Sequence, residues 1–219
     1  MCFSAEASFV AAAGLAAIGA ATLAQRPSRR MAALAATPLL FAAHQAIEGL
    51  VWLGVREGGV SQALIKSWVF IAEVFWPTFV PLAVLLLTRG RRRRQGLFAL
   101  LLTGLIVSGY FLAILLQSDF IVSIVNHNLR YRPDEPIAHN LPGLYLLSTV
   151  APLLIARERF VFAFGVAVLA GAIVTEIFFN HAGPSVWCFF AALASVCAFL
   201  AVRDEKTARR PILSPTPGL

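Results

Sequence analysis

Apolar residues fill this chain in long runs, and short polar stretches separate them. Seven runs approach or reach the length of about 20 residues that a helix needs to cross a hydrocarbon core about 30 Å thick. They lie at about 4–25, 31–55, 64–88, 96–117, 142–157, 159–180 and 184–202, and the fifth is the shortest. The predicted fold is therefore all-α, an integral membrane bundle of seven transmembrane helices over residues 1–202. The breaks between runs are RPSRR, REGGVSQ, RGRRRRQ, a long polar connection from Ser118 to Asn140, the pair Glu158-Arg159, and a turn from Asn180 to Pro184. Within the loop 118–141, Phe120, Ile121, Ile124 and Val125 recur at helical spacing and predict a short amphipathic helix lying in the interface. Residues 203–219, with the Pro-rich ending RRPILSPTPGL, read as a disordered cytoplasmic tail. The first run has no basic stretch ahead of it and reads as a retained helix, not a cleaved leader.

Basic residues orient this bundle. Arg26, Arg29, Arg30, Arg89, Arg91 to Arg94, Arg157, Arg159, Arg203, Lys206, Arg209 and Arg210 fall on one side, fourteen of the 18 Lys and Arg. Arg56, Lys66, Arg130 and Arg132 fall on the other. Under the positive-inside rule the N-terminus is outside and the C-terminus cytoplasmic, which requires an odd number of spans. The localisation this predicts is a bacterial cytoplasmic (inner) membrane. Composition agrees, since 59% of residues are hydrophobic and 13% charged, against roughly 25% charged in soluble domains. The net charge of +7 sits in short loops beside apolar runs, so it speaks for membrane orientation and not for nucleic acid. The partner expected of such a surface is the lipid bilayer.

Polar chemistry is just as lopsided. His44, His127, His139 and His181 all map to the outer half of the bundle or beyond it, together with Glu48, Glu73, Glu176 and Cys2. Such groups are costly in a membrane unless paired or functional. His44 and Glu48 stand four apart on one helical face, where they can ligate one metal ion or simply join two helices. A free α-amine beside the Cys2 thiol, left by removal of Met1, would chelate zinc or copper or act as a nucleophile. The expected metal ligands are Cys2, His44, Glu48, His127 and His181, with zinc or another transition metal as cofactor. Glu176 and Glu73 are the candidate catalytic carboxylates, and Lys66 is placed to pair with Glu73. Arg130, Tyr131, His139 and Trp187 are candidate contacts to substrate or anion.

The opening Met1-Cys2-Phe3-Ser4-Ala5, the stretch His44 to Trp52 (HQAIEGLVW), Phe75-Trp76-Pro77, His127 to Tyr131 (HNLRY) and Ser185 to Ala192 (SVWCFFAA) occur in this order. Together they resemble a family of small bacterial polytopic membrane proteins that open with MCFSA, a domain of unknown function. That resemblance implies a helical membrane protein, brings no activity, and directs attention to Cys2, Glu48, His127, Trp187 and Cys188.

These readings leave three functions open. One is a metal-dependent membrane hydrolase acting on an amphiphilic substrate, its water activated by the metal and a carboxylate. Another is a binding or sensing protein that captures a metal, heme or small ligand without turnover. The third is a small ion- or proton-coupled transporter using Glu48, Glu73 and Glu176 as a relay.

Overall fold

A computed structural model describes residues 4–134, 141–179 and 183–208. Helices dominate. Helix α1 spans Ala5–Ala24 and α2 Ala32–Arg56. Helix α3 (Gln62–Val69) passes into a π-helical segment, Phe70–Phe75, and then into α4 (Trp76–Leu87). Helix α5 covers Arg91–Gln117, α6 Pro142–Ile155, α7 Arg159–Phe179, α8 Gly183–Ala194 and α9 Val196–Ala208. Six continuous helical stretches are long and apolar enough to cross a membrane, while α6 is a shorter apolar helix. The chain is thus a multi-pass membrane protein by length and composition. Side chains such as Val10, Ile106 and Leu116, each more than 60% exposed, face outward where lipid tails solvate them.

Local signals set the helix ends. The Ser4 hydroxyl accepts from the Ala7 N–H at 3.1 Å, and Ser61 does the same for Leu64 at 3.3 Å, satisfying donors that the first turn leaves orphaned. Small residues let helices approach closely: Gly19 of α1 meets Leu39 of α2, and Gly49 of α2 meets the Phe9 ring. One end of the bundle gathers Arg159 and Asp204 at 2.5 Å, Ser28 N–H and Glu205 at 3.4 Å, and Arg93 with the Ile155 carbonyl at 3.3 Å. The opposite end gathers Arg56 with Glu6 at 2.8 Å and Lys66 with Asp119 at 3.0 Å. Helix α9 runs to Ala208, so the helix persists past residue 203, where a disordered tail was expected. The contacts of Asp204 and Glu205 anchor that last turn.

The connection between α5 and α6 differs from expectation. Its apolar stretch forms no interfacial helix. Strands β1 (Phe120–Val125) and β2 (Asn128–Pro133) make an antiparallel hairpin instead, with Val122 opposite Tyr131 and Ile124 opposite Leu129. Ile121, Val122, Ile124 and Val125 are β-branched and suit a pleated surface better than a helix. Asn126 and His127 turn the chain at φ 49° and 61°, the left-handed pair that a tight two-residue hairpin turn demands. Phe120 and Leu129 are buried on the bundle side. Gln62 ties the hairpin down, donating to the Phe120 carbonyl at 2.8 Å and accepting from its N–H at 3.0 Å.

Candidate functional site

Helix α2 brings the first polar group together. His44, Gln45 and Glu48 are fully buried because spacings of three and four residues put them on adjoining turns of one face. Gln45 Nε2 donates to Glu48 Oε2 at 3.3 Å, and the Ser185 hydroxyl of α8 donates to Glu48 Oε1. One carboxyl group therefore joins two helices. The His44 ring tilts against Trp68 with centroids 5.0 Å apart, and Trp68 stacks on Tyr131 of β2 at 3.7 Å. Among the described residues, Gln45 Oε1 and the indole nitrogens of Trp52 and Trp68 have no hydrogen-bond partner. A core selected for stability alone avoids such atoms, since each costs about 1–3 kcal/mol.

A cavity of about 810 Å³ opens on another face of α8, bounded by the π segment, α5, α6, α7 and α8. Its walls are mainly apolar and aromatic, with Glu73, Tyr145, Thr175 and Glu176 as the polar exceptions. The two carboxylates expected to be catalytic thus line one space, although they come from distant parts of the chain. Glu73 is half-buried and Glu176 exposed, and neither takes part in the ion pairs of the described residues. Lys66 does not pair with Glu73 as expected. It pairs with Asp119, which lies at its own level near the end of the bundle, where a lysine can keep its ammonium hydrated.

The backbone beneath Glu73 has a chemical cause. In a π-helix the carbonyl of residue i accepts from the N–H of residue i+5. Extending that register to Ala72 would require a donor at Pro77, and proline has no N–H. The Tyr145 hydroxyl donates to the Ala72 carbonyl in its place. Ser108 of α5 likewise donates to the Val74 carbonyl at 2.6 Å and bonds Thr78 at 2.8 Å. On the far wall Trp187 donates through Nε1 to the Val168 carbonyl at 3.0 Å and meets Tyr145 edge-on at 5.4 Å. Cys188 is buried and lines the cavity, and Ser185 on the same helix bonds Glu48, so α8 stands between the buried cluster and the cavity.

The other expected residues are spread out. His127 is exposed at the hairpin turn, and Arg130 and Arg132 are exposed on β2. Tyr131 packs inward on Trp68. Cys2, His139 and His181 lie outside the described residues. Among the described residues no three His, Cys, Asp or Glu side chains assemble as metal ligands. Sequence reasoning missed Ser185, Tyr145 and Thr175. Ser185 was within reach of it, since it shares with Trp187 and Cys188 the segment already marked by resemblance. Residues 1–212 match a family of unknown function, DUF6629. No curated protein and no solved structure matches the chain.

Proposed function

The chain belongs to the DUF6629 family of unknown function, and we propose that it binds an amphiphilic small molecule at the extracytoplasmic end of a bacterial cytoplasmic-membrane bundle. On this reading the six long helices and the shorter α6 give seven crossings, with the N-terminus outside. The fourteen-to-four split of Lys and Arg supports that orientation. The observation that carries the proposal is the cavity of about 810 Å³. Its size falls in the range of small-molecule sites, and a few polar groups in an apolar lining are the usual means of fixing orientation. Glu73 and Glu176 supply the acid–base capacity for any reaction on the bound molecule. Filling the cavity tests this. Purified protein in lipid nanodiscs should bind a medium-chain amphiphile saturably, and Ala172→Phe in the wall should abolish that binding. Undiminished binding by a folded Ala172→Phe protein refutes the site.

A second reading retains the metal-dependent hydrolase, because the buried His44 ring stands one helical turn from the buried Glu48. The described residues supply only that pair, and the Glu48 carboxyl already accepts from Gln45 and Ser185. A four-coordinate zinc or other transition-metal centre therefore depends on Cys2 and His181, which lie outside the described residues. Such a metal would supply an activated water, and Glu48 and His44 would hold and orient it.

A further inference from the structure

Arg89, Arg91, Arg92, Arg93 and Arg94 crowd the join of α4 and α5. Two of them serve the bundle. Arg93 donates to the Ile155 carbonyl at the end of α6 at 3.3 Å. Arg94 donates to the Leu85 and Thr88 carbonyls, where α4 ends, at 3.2 and 3.3 Å. Arg89, Arg91 and Arg92 are exposed, with neither a carboxylate nor a carbonyl partner among the described residues. Of the acids at this end, Asp204 pairs with Arg159, Glu205 accepts from the Ser28 N–H, and Glu158 joins no ion pair of the described residues. At the opposite end, by contrast, Arg56 and Lys66 each hold a carboxylate. The free arginines are also placed unfavourably. Arg91 and Arg94 stand three apart on one helical face, where like charges repel, and cations in a first turn oppose the helix dipole. An anion from outside the chain relieves both.

We infer that this surface binds an anionic phospholipid, its head group on Arg91 and Arg92 and its acyl chains along the outer face of α5. Guanidinium groups match phosphate oxygens in charge and in fork geometry. A cluster of this size beside a membrane span is attracted to anionic lipid. What selects a lipid over a soluble anion is the surface that continues below the charges. Steps of three and four residues run from Arg91 through Gln95, Phe98 and Leu102 to Ile106, so these positions share one face. Phe98, Leu102 and Ile106 are 53%, 46% and 67% exposed. The apolar stripe begins two helical turns from Arg91 and offers lipid chains a continuous contact. A soluble anion would use the arginines alone, whereas a phospholipid uses both parts. A zwitterionic lipid brings a quaternary ammonium that the arginines repel, so a net negative head group is the better fit. This site is separate from the cavity and independent of what the cavity holds.

The full chain, delipidated in detergent, is titrated with phosphatidylglycerol or phosphatidylcholine of identical acyl chains. Native mass spectrometry resolves the first lipid bound. Phosphatidylglycerol should bind at least about tenfold more tightly, the scale expected of two arginines beside an anionic head group. Raising the ionic strength from about 0.1 M to about 0.5 M should shrink that preference. The double change Arg91→Gln with Arg92→Gln should remove most of it, and neither side chain bonds within the bundle, so the variant should fold. Arg130→Gln with Arg132→Gln takes the same charge from β2 and should leave the preference intact. Glycerophosphoglycerol, the head group without chains, should not displace the lipid even in millimolar excess. Equal affinity of the wild type for the two lipids overturns the inference, and that comparison needs no variant. Equal loss in both double variants traces the effect to overall net charge and overturns the assignment to α5. Displacement by the chain-free head group identifies a free-anion site and overturns the lipid assignment.

Discussion

Gly104→Ala is the sharpest test of how α5 packs against the π segment and α4. A Cβ built on Gly104 would lie 1.9 Å from the Pro77 carbonyl oxygen and 2.7 Å from its carbon. Both are backbone atoms, so no rotamer change relieves the clash. The carbonyl is also unusually open to approach, because Pro81 four residues on cannot donate to it. Helix α5 would have to withdraw by about 1 Å to restore ordinary contact distances. That shift stretches the Ser108–Val74 bond of 2.6 Å and the Ser108–Thr78 bond of 2.8 Å beyond useful range. Two lost hydrogen bonds cost about 1 kcal/mol each, and overpacking costs about 1–3 kcal/mol. The better helix propensity of alanine returns about 1 kcal/mol, so the net loss should be about 2–4 kcal/mol. Equilibrium unfolding in mixed micelles titrated with sodium dodecyl sulfate, followed by circular dichroism, measures it. Gly109→Ala is the control: the same helix has open space there, and the change should be neutral or mildly stabilising. If the two variants agree within about 0.5 kcal/mol, a spread expected of innocuous surface changes, the packing argument is wrong.

Tyr145→Phe removes the donor to the Ala72 carbonyl and should cost about 1–3 kcal/mol in the same unfolding assay; no loss would mean the π segment does not need it. Ser185→Ala takes a donor from the buried Glu48 and should cost a similar about 1–3 kcal/mol, whereas an unchanged midpoint would show that another group satisfies that oxygen. His127→Gly suits the turn at φ 61° and should stabilise the hairpin by up to about 1 kcal/mol. If the metal reading holds, elemental analysis of Cys2→Ser should show lowered occupancy, and unchanged occupancy would sink that ligand assignment.

The spans were legible because a membrane demands long apolar runs and tolerates little else; most helix ends fall close to those predicted, but α5 begins at Arg91 and not at 96, and α9 ends at Ala208 and not at 202. The hairpin was not, because Phe120 to Val125 satisfies both periods: 120 and 124 repeat helically, while 120, 122 and 124 alternate. Without a glycine, the Asn126-His127 pair gave a weak turn signal. Polarity within apolar sequence marked Glu48, Glu73 and Glu176; Glu48 bonds Gln45 and Ser185, and Glu73 and Glu176 line one cavity. Nothing in one sequence shows that Glu73 and Glu176 share a cavity, since that depends on how α5 to α8 pack around the π segment.

One wall of the cavity has a consequence for how any ligand would be measured. Ile173 and Ile177 of α7 line the cavity and are also among the most exposed apolar side chains, at 52% and 66%. The same helix borders both the cavity and the lipid-facing surface. A molecule arriving by that route leaves the leaflet, not the aqueous phase, and its relevant concentration is its mole fraction among the lipids. Each added methylene enriches an amphiphile in the bilayer by about 0.8 kcal/mol, so affinities expressed per aqueous concentration would climb with chain length even if the cavity made no distinction. Selectivity of the site itself emerges only when ligands of different length are compared at equal bilayer density.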